Sequence, residues 1–523
     1  MLDADIVILN ANIITLGAKT PGAEALAAKN GKIVAVGSNR EIRKYINDKT
    51  RVVDAKGKTV VPGFVDCHVH MTDFGWHLQS LDLRDTKSIA ELQQKLREYA
   101  EKNKGKAWIL GGRWDHEKFA EKRLPTRWDL DKVISDKPVF LKRVCGHLGV
   151  ANSKALQLAN ITREMKTKSG QIDLDAKGEP NGILRENALE IMRKAIPKPS
   201  IKESESSCLL ACKKAVEAGL TGVHWMVDSA NEIRVLQKLW LDGKLPLRVY
   251  LGISADLLEE IVNLGLYTGF GNSMLKIGFV KIFADGSLGA RTAALNEPYS
   301  DELETSGMLI HTQRKLNRLA LKAHKAGLQV GVHAIGDKAI ESTLKAISNA
   351  LKKNPKENHR HRIEHCSVLN NKLIKYIKRL NLVASVQPHF VVSDFWVNDR
   401  LGKDRARLTY ASKALVDAGI VVVSGSDCPV EPINPLLGVW AAVAKANSSN
   451  GKLTVEEALK SYTLTAAYAS FDEDKKGSVE VGKFADLTML SDDLFRIPAE
   501  KFKDVSVEMT IVDGKIVYAK KHL

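Results

Sequence analysis

VPGFVDCHVHM (61–71) sets two histidines, His68 and His70, two positions apart at the end of an apolar run that starts at Val60. Residues i and i+2 of a strand point to one face. Two imidazoles at that spacing, closing a buried strand, can grip one ion, so the remaining donors must come from elsewhere in the chain.

Beyond this stretch, strand-like and helix-like segments alternate, the pattern of a parallel sheet with crossover helices. Eight strand candidates are legible: VVPGFVDCHVH, LTGVHWMV, PLRVYLGIS, KIGFVKIFAD, GLQVGVHAIGD, HRIEHCSV, NLVASVQPH and GIVVVSGSD. Helical stretches separate them at 315–326, 340–352 and 371–380. The fold class is therefore α/β, with a (β/α)8 barrel over 61–475. Its first crossover is far too long for one helix and a loop. It holds AWILGGRWDHEKF and KPVFLKRVCGHLGVANSKALQLA, which predict an inserted subdomain at about 75–207, expected over the barrel mouth. Both ends, 1–60 and 476–523, are β-rich, with turns at Asn30-Gly31, Lys56-Gly57 and Asp513-Gly514. One small β-sandwich built from both termini follows.

With 44% hydrophobic and 27% charged residues over 523 positions, the chain has ample core. A formal charge of +16 raises nucleic acid as a partner, but the basic residues are scattered among acids, as in KKNPKENHRHR (352–362). No basic block interleaved with aromatics is present, and a nucleic-acid role is not expected. Six cysteines without a CxxC pair predict no disulfide framework and fit a reducing cytoplasm. MLDADIVILN lacks the basic start of a secretory signal, and no apolar run approaches the roughly 18 residues of a membrane span. The expected partner is a small-molecule substrate, and a homodimer is in keeping with a large barrel.

Five strand candidates carry a potential ligand. His68 and His70 close the first, Lys281 sits in the fourth, His333 ends the fifth, His365 the sixth and Asp427 the eighth. Singly, each has a plainer reading: a core histidine, an ion-paired lysine, a helix-capping aspartate. Together they stand at the strand ends whose side chains converge on a barrel's mouth. Four histidines, a lysine and an aspartate in that order make a metal site.

This pattern resembles the amidohydrolase superfamily. KIFADGSLGARTAAL, VHAIGDKAI, HRIEHCSVL and SGSDCPVEPINPL are similar to amidohydrolase family 3, the branch of N-substituted formamide deformylase and YtcJ-like proteins. The resemblance covers essentially the whole chain, including GGRWD and PTRWDLD of the insert. It implies that His68, His70 and Asp427 hold one ion, that His333 and His365 hold a second, and that Lys281, carboxylated by CO2, bridges both as a carbamate. Imidazole and carboxylate donors suit zinc best, two per chain, with iron or manganese as alternatives. The implied reaction is hydrolysis of an amide, N-formyl or N-acyl C–N bond by metal-activated hydroxide, with Asp427 as general acid and base. A phosphotriesterase or lactonase, or a catalytically silent metal-binding regulator, is the alternative on the same scaffold.

Asp285 and Arg291 in DGSLGART lie where a loop can reach substrate, with loop anchoring as the other reading. Trp114, Asp115 and His147 of the insert are further candidate substrate contacts. Glu364, beside His365 and so on the opposite face of a regular strand, reads as a structural residue. Cys428 lacks the paired histidine that a thiolate mechanism needs.

Overall fold

Eight parallel strands, paired in chain order, form one sheet in the computed structural model, which describes residues 3–17, 22–143, 148–165, 170–186, 188–445 and 451–521. They are β1 (Phe64–Val69), β2 (Leu220–Val227), β3 (Arg248–Ser254), β4 (Leu275–Phe283), β5 (Gln329–Ala334), β6 (Arg362–His365), β7 (Val383–Val386) and β8 (Val421–Ser424). Nearly every position in them is buried, as expected of strands covered on both faces. On the outside lie α1 (Ala230–Leu241), α2 (Leu258–Asn263), α3 (Gln313–Lys325), α4 (Asp337–Lys353) and α5 (Asn371–Arg379). In α4 the buried Ile340, Leu344 and Ile347 fall on one helical stripe.

The apolar run 60–70 is not one strand. Thr59–Pro62 pairs antiparallel with Leu487–Leu490 in a different sheet, and β1 starts at Phe64. The break falls at Gly63, whose N–H donates to the Asp486 carbonyl at 2.8 Å. A Cβ there would stand 2.2 Å from the Thr221 side chain, so only glycine lets the chain pass from one sheet to the other.

The sheet closes on itself without a full ladder between β8 and β1. The Asp427 N–H donates to the His68 carbonyl at 2.7 Å, and the His70 N–H to the Cys428 carbonyl at 2.8 Å. Beneath them the Asp66 carboxylate accepts from the His68 N–H at 3.0 Å and from the Ser426 hydroxyl at 2.5 Å. Gly425 makes this approach possible, since a Cβ there would lie 2.5 Å from the His68 nitrogen.

Strands from both chain ends interleave in a six-stranded sheet, with Thr59–Pro62 between Asn12–Ile14 and Leu487–Leu490. A four-stranded sheet from the N-terminal region alone shares its core, which includes Ile8, Leu26, Val60, Leu487 and Ile511. Arg248, at the start of β3, ties the barrel to this sandwich by donating to Asp486 at 2.6 and 3.0 Å.

Gly75–Ser207 forms a second compact unit, inserted after β1, with its own six-stranded sheet and apolar core. The described cysteines are buried and none is joined to another as a disulfide. Among the described residues no helix is long and apolar enough to cross a membrane.

Candidate metal centre

The six candidate ligands meet at the C-terminal end of the barrel. One nitrogen or oxygen from each of His68, His70 and Asp427 falls within 4.8 Å of the others. Asp427 Oδ1 stands 3.2 Å from His70 Nε2 and 3.5 Å from His68 Nε2. Lys281 Nζ lies 3.0 Å from the same His68 nitrogen. The His365 ring is 4.7 Å from that of His68 and 4.4 Å from that of His333, centre to centre, so the cluster is continuous.

Each buried ring commits one nitrogen to an orienting partner. His68 Nδ1 donates to Glu364 at 2.6 Å, His365 Nδ1 to Gln387 Oε1 at 2.8 Å, and His333 Nε2 to the Gly286 carbonyl at 3.0 Å. The second nitrogen of His333 and of His365 is left with a lone pair for a cation, and that of His68 faces the Lys281 amine; one committed nitrogen per ring fixes tautomer and ring angle in metal sites. Burial holds His68 and His333 well below the usual imidazole value, so both are neutral at pH 7, the form that ligates. Burial likewise lowers the Lys281 amine to about 8 against the pull of Glu364 and Asp427. Burial acts to raise Asp427, but the His70 hydrogen bond and the neighbouring imidazoles outweigh it and keep the group a carboxylate. Three imidazoles, a fourth at the rim, one carboxylate and a buried amine are donors that fit divalent zinc, iron or manganese.

Glu364 corrects the reading by strand alternation. Rather than facing away from His365, it lies wholly buried inside the barrel, bonded to His68 and to Arg362 at 2.7 Å. The reason is backbone conformation: His365 has φ 71° and Cys366 φ 49°, in the left-handed region. The strand stops being regular there, so neighbouring side chains both turn inward. Asp427, at φ 57°, is delivered in the same way. Such conformations are costly for residues with a Cβ and gather where geometry serves a site.

Arg362, Gln387 and Asp66 were not singled out from the sequence. Arg362 is wholly buried, donating to Glu364, to the Cys67 carbonyl at 2.8 Å and to Ser385 Oγ at 3.1 Å. A cation and an anion two apart, and so on one face, in the strand candidate HRIEHCSV were the signal available for this pair. His389 and Glu431, 2.5 Å apart beyond β7 and β8, form a further polar pair that strand-end reasoning passes over.

The five candidate substrate contacts fare differently, and Asp115 is paired with Arg143 at 2.7 Å within the insert. Asp285 is buried and accepts N–H bonds from Ala294, Ile335 and Gly336 at 2.8 to 3.1 Å, its carboxyl pushed up to about 7 by burial. It anchors its loop and stands 3.5 Å from His333 Nε2. The Arg291 guanidinium is taken by Asp301 at 2.9 Å and Glu302 at 3.1 Å, which is also loop anchoring. Trp114 is wholly buried in the insert's own core, its indole N–H donating to the Leu141 carbonyl at 3.1 Å, and it is no surface contact. His147 lies outside the described residues.

A family model described as the amidohydrolase family matches residues 51–518. The chain belongs to the amidohydrolase family. It is 37% identical to a putative amidohydrolase YtcJ of Bacillus subtilis, over 95% of this chain and 96% of that one. It is 28% identical to N-substituted formamide deformylase of Arthrobacter pascens, over 99% and 98% of the two chains. Among solved structures, an uncharacterized metal-dependent hydrolase from Pyrococcus furiosus is 33% identical with a TM-score of 0.81, covering 93% of this amidohydrolase and 99% of that chain. With this fold and donor set, the amidohydrolase is a metal-dependent hydrolase.

Proposed function

We propose that this amidohydrolase cleaves a C–N bond, of amide, N-formyl or N-acyl type, in a small molecule. His68, His70 and Asp427 would hold one ion and His333 and His365 a second, zinc for preference, and Lys281, carboxylated to a carbamate, would offer an oxygen to each. The observation that carries the reading is the Lys281 amine: it is buried, lowered to about 8 and 3.0 Å from a histidine lone pair. An ammonium is an odd neighbour for that many cation ligands. A neutral amine attacks the carbon of CO2 and releases a proton, and the carbamate formed carries one negative charge shared by two oxygens.

Bound there, the ions would supply Lewis acidity, enough to polarise an acyl oxygen and to let water lose a proton near pH 7. Asp427, kept as a carboxylate, accepts that proton on an oxygen and returns it to the departing nitrogen. Glu364, neutralised by Arg362, holds His68 at the angle its ligation needs. The bond class is supported by the names of two relatives, one a putative amidohydrolase and one an N-substituted formamide deformylase.

A panel of N-formyl amines, N-acyl amines, lactones and phosphotriesters tests this. Turnover of the amides with little of the others is expected, and hydrolysis confined to phosphotriesters or lactones overturns it. Metal analysis of the parent beside Lys281→Ala is expected to show close to two ions falling to one or fewer; one ion in both means no bridge.

A further inference from the structure

The crossover from β3 to β4 carries a short 3-10 turn (Ala255–Leu257) and α2, which is six residues long against thirteen in α3 and seventeen in α4. At 1.5 Å per residue such a helix spans about 9 Å and roofs little of the barrel's outer face. What it leaves open is an apolar groove of about 600 Å³ beside α1, floored by Leu251, Ile253 and Ile277.

The rim is apolar as well. Leu264 is 72% exposed, Phe270 52% and Trp240 39%, with Leu241 beside it at 74%. Helix α1 has two apolar faces: Val235, Leu236 and Leu239 are buried against the barrel, while Ile233 and Trp240 line the groove with Arg234 and Gln237. Scattered exposed apolar residues are ordinary, but a contiguous set around a groove marks an interaction surface.

Two charges name the occupant. Arg234 on α1 and Glu260 on α2 both line the groove. Among the described residues neither side chain has an ion-pair or hydrogen-bond partner. The third charge there, Lys276, is already held by Asp472. One unpaired cation and one unpaired anion, on two helices flanking one apolar groove, are complementary to the same surface turned through a twofold axis. Each Arg234 then meets the other copy's Glu260, and each rim fills the other's groove. We propose that two copies of this chain pair through α1, α2 and the 264–270 segment as a twofold dimer.

Light scattering on the size-fractionated, metal-loaded protein is expected to give twice the 57.6 kDa chain mass. Leu264→Asp, at an exposed position, is expected to give folded monomer with an unchanged circular dichroism spectrum. Arg234→Glu and Glu260→Arg are each expected to weaken the dimer by about tenfold or more, because a twofold contact places two like-charge pairs at once. The two changes combined restore it. A monomeric parent overturns the proposal, as does a dimer indifferent to all three single changes or singles that weaken it without rescue by the pair.

Discussion

The barrel holds two buried clusters of histidines, and only one of them can bind a metal. At the C-terminal end, His68, His333 and His365 each give one nitrogen to an orienting partner, and among the described residues the other nitrogen meets no protein partner except at His68, whose Nε2 faces the Lys281 amine at 3.0 Å. Near the other end of β5 and β6, His324, His359 and His361 also stack, at 4.5 to 5.0 Å between ring centres. There every nitrogen is spent. The Val330 N–H donates to His361 Nδ1 at 3.0 Å, His361 Nε2 to His324 Nδ1 at 2.9 Å, and His324 Nε2 to the Asn354 carbonyl at 2.6 Å. His359 accepts from the His361 N–H at 2.9 Å and donates to the Leu380 carbonyl at 3.0 Å. Burial depresses His361 and His359 as it does the first set. Residue type, burial and proximity therefore do not distinguish a ligand cluster from a structural one; the count of uncommitted lone pairs does.

Four measurements break or sharpen this contrast, taken from the largest effect downwards. Asp427→Asn removes the proposed proton carrier, and kcat/KM on the best amide substrate is expected to fall by about 10³-fold, within the range for general acid–base groups; a loss under tenfold contradicts the role given to it. Glu364→Gln leaves Arg362 buried without its counter-charge, which costs about 3–5 kcal/mol. Urea unfolding reads that loss, and metal retention through dialysis is expected to drop with it because His68 loses its orienting carboxylate.

The third concerns acid. His359 is lowered to about 4 in the folded protein, chiefly by burial, against 6.5 unfolded. In that window the unfolded chain binds more protons than the native one. Stability is therefore full above about pH 6.5 and declines as pH falls towards 4, by on the order of 3 kcal/mol for this group. His359→Gln is expected to flatten part of that slope in unfolding curves taken between pH 4 and 7. The smallest effect belongs to His361→Leu, which orphans the Val330 N–H and His324 Nδ1 at about 1–3 kcal/mol. Metal content and kcat should not change; if either does, the two clusters are not separate.

Convergence of the six ligand candidates was legible because a metal restricts residue type, and a barrel restricts where along a strand such residues can meet. What escaped has local causes. The division of 60–70 at Gly63 leaves no polar interruption in the sequence, since both strands it separates are buried. Glu364 was misplaced because alternation assumes a regular strand up to its last residue, and His365 is not regular. Trp114 was misjudged because the burial of an indole depends on packing within the insert, where no repeating pattern guides the eye.

The seam between β1 and β8 has one more consequence. Asp66 and Ser426 are 360 positions apart in the chain, yet they close the barrel beside His68 and Asp427, the two residues that share an ion in the proposed centre. Contacts of such long range form late, since the entropy of closing the loop must be met first. An ion that binds only the closed ring stabilises only that state. In the proposed centre the metal would act as a clasp on a finished circle, and a chain cut short before Asp427 would lack one half of the fastening.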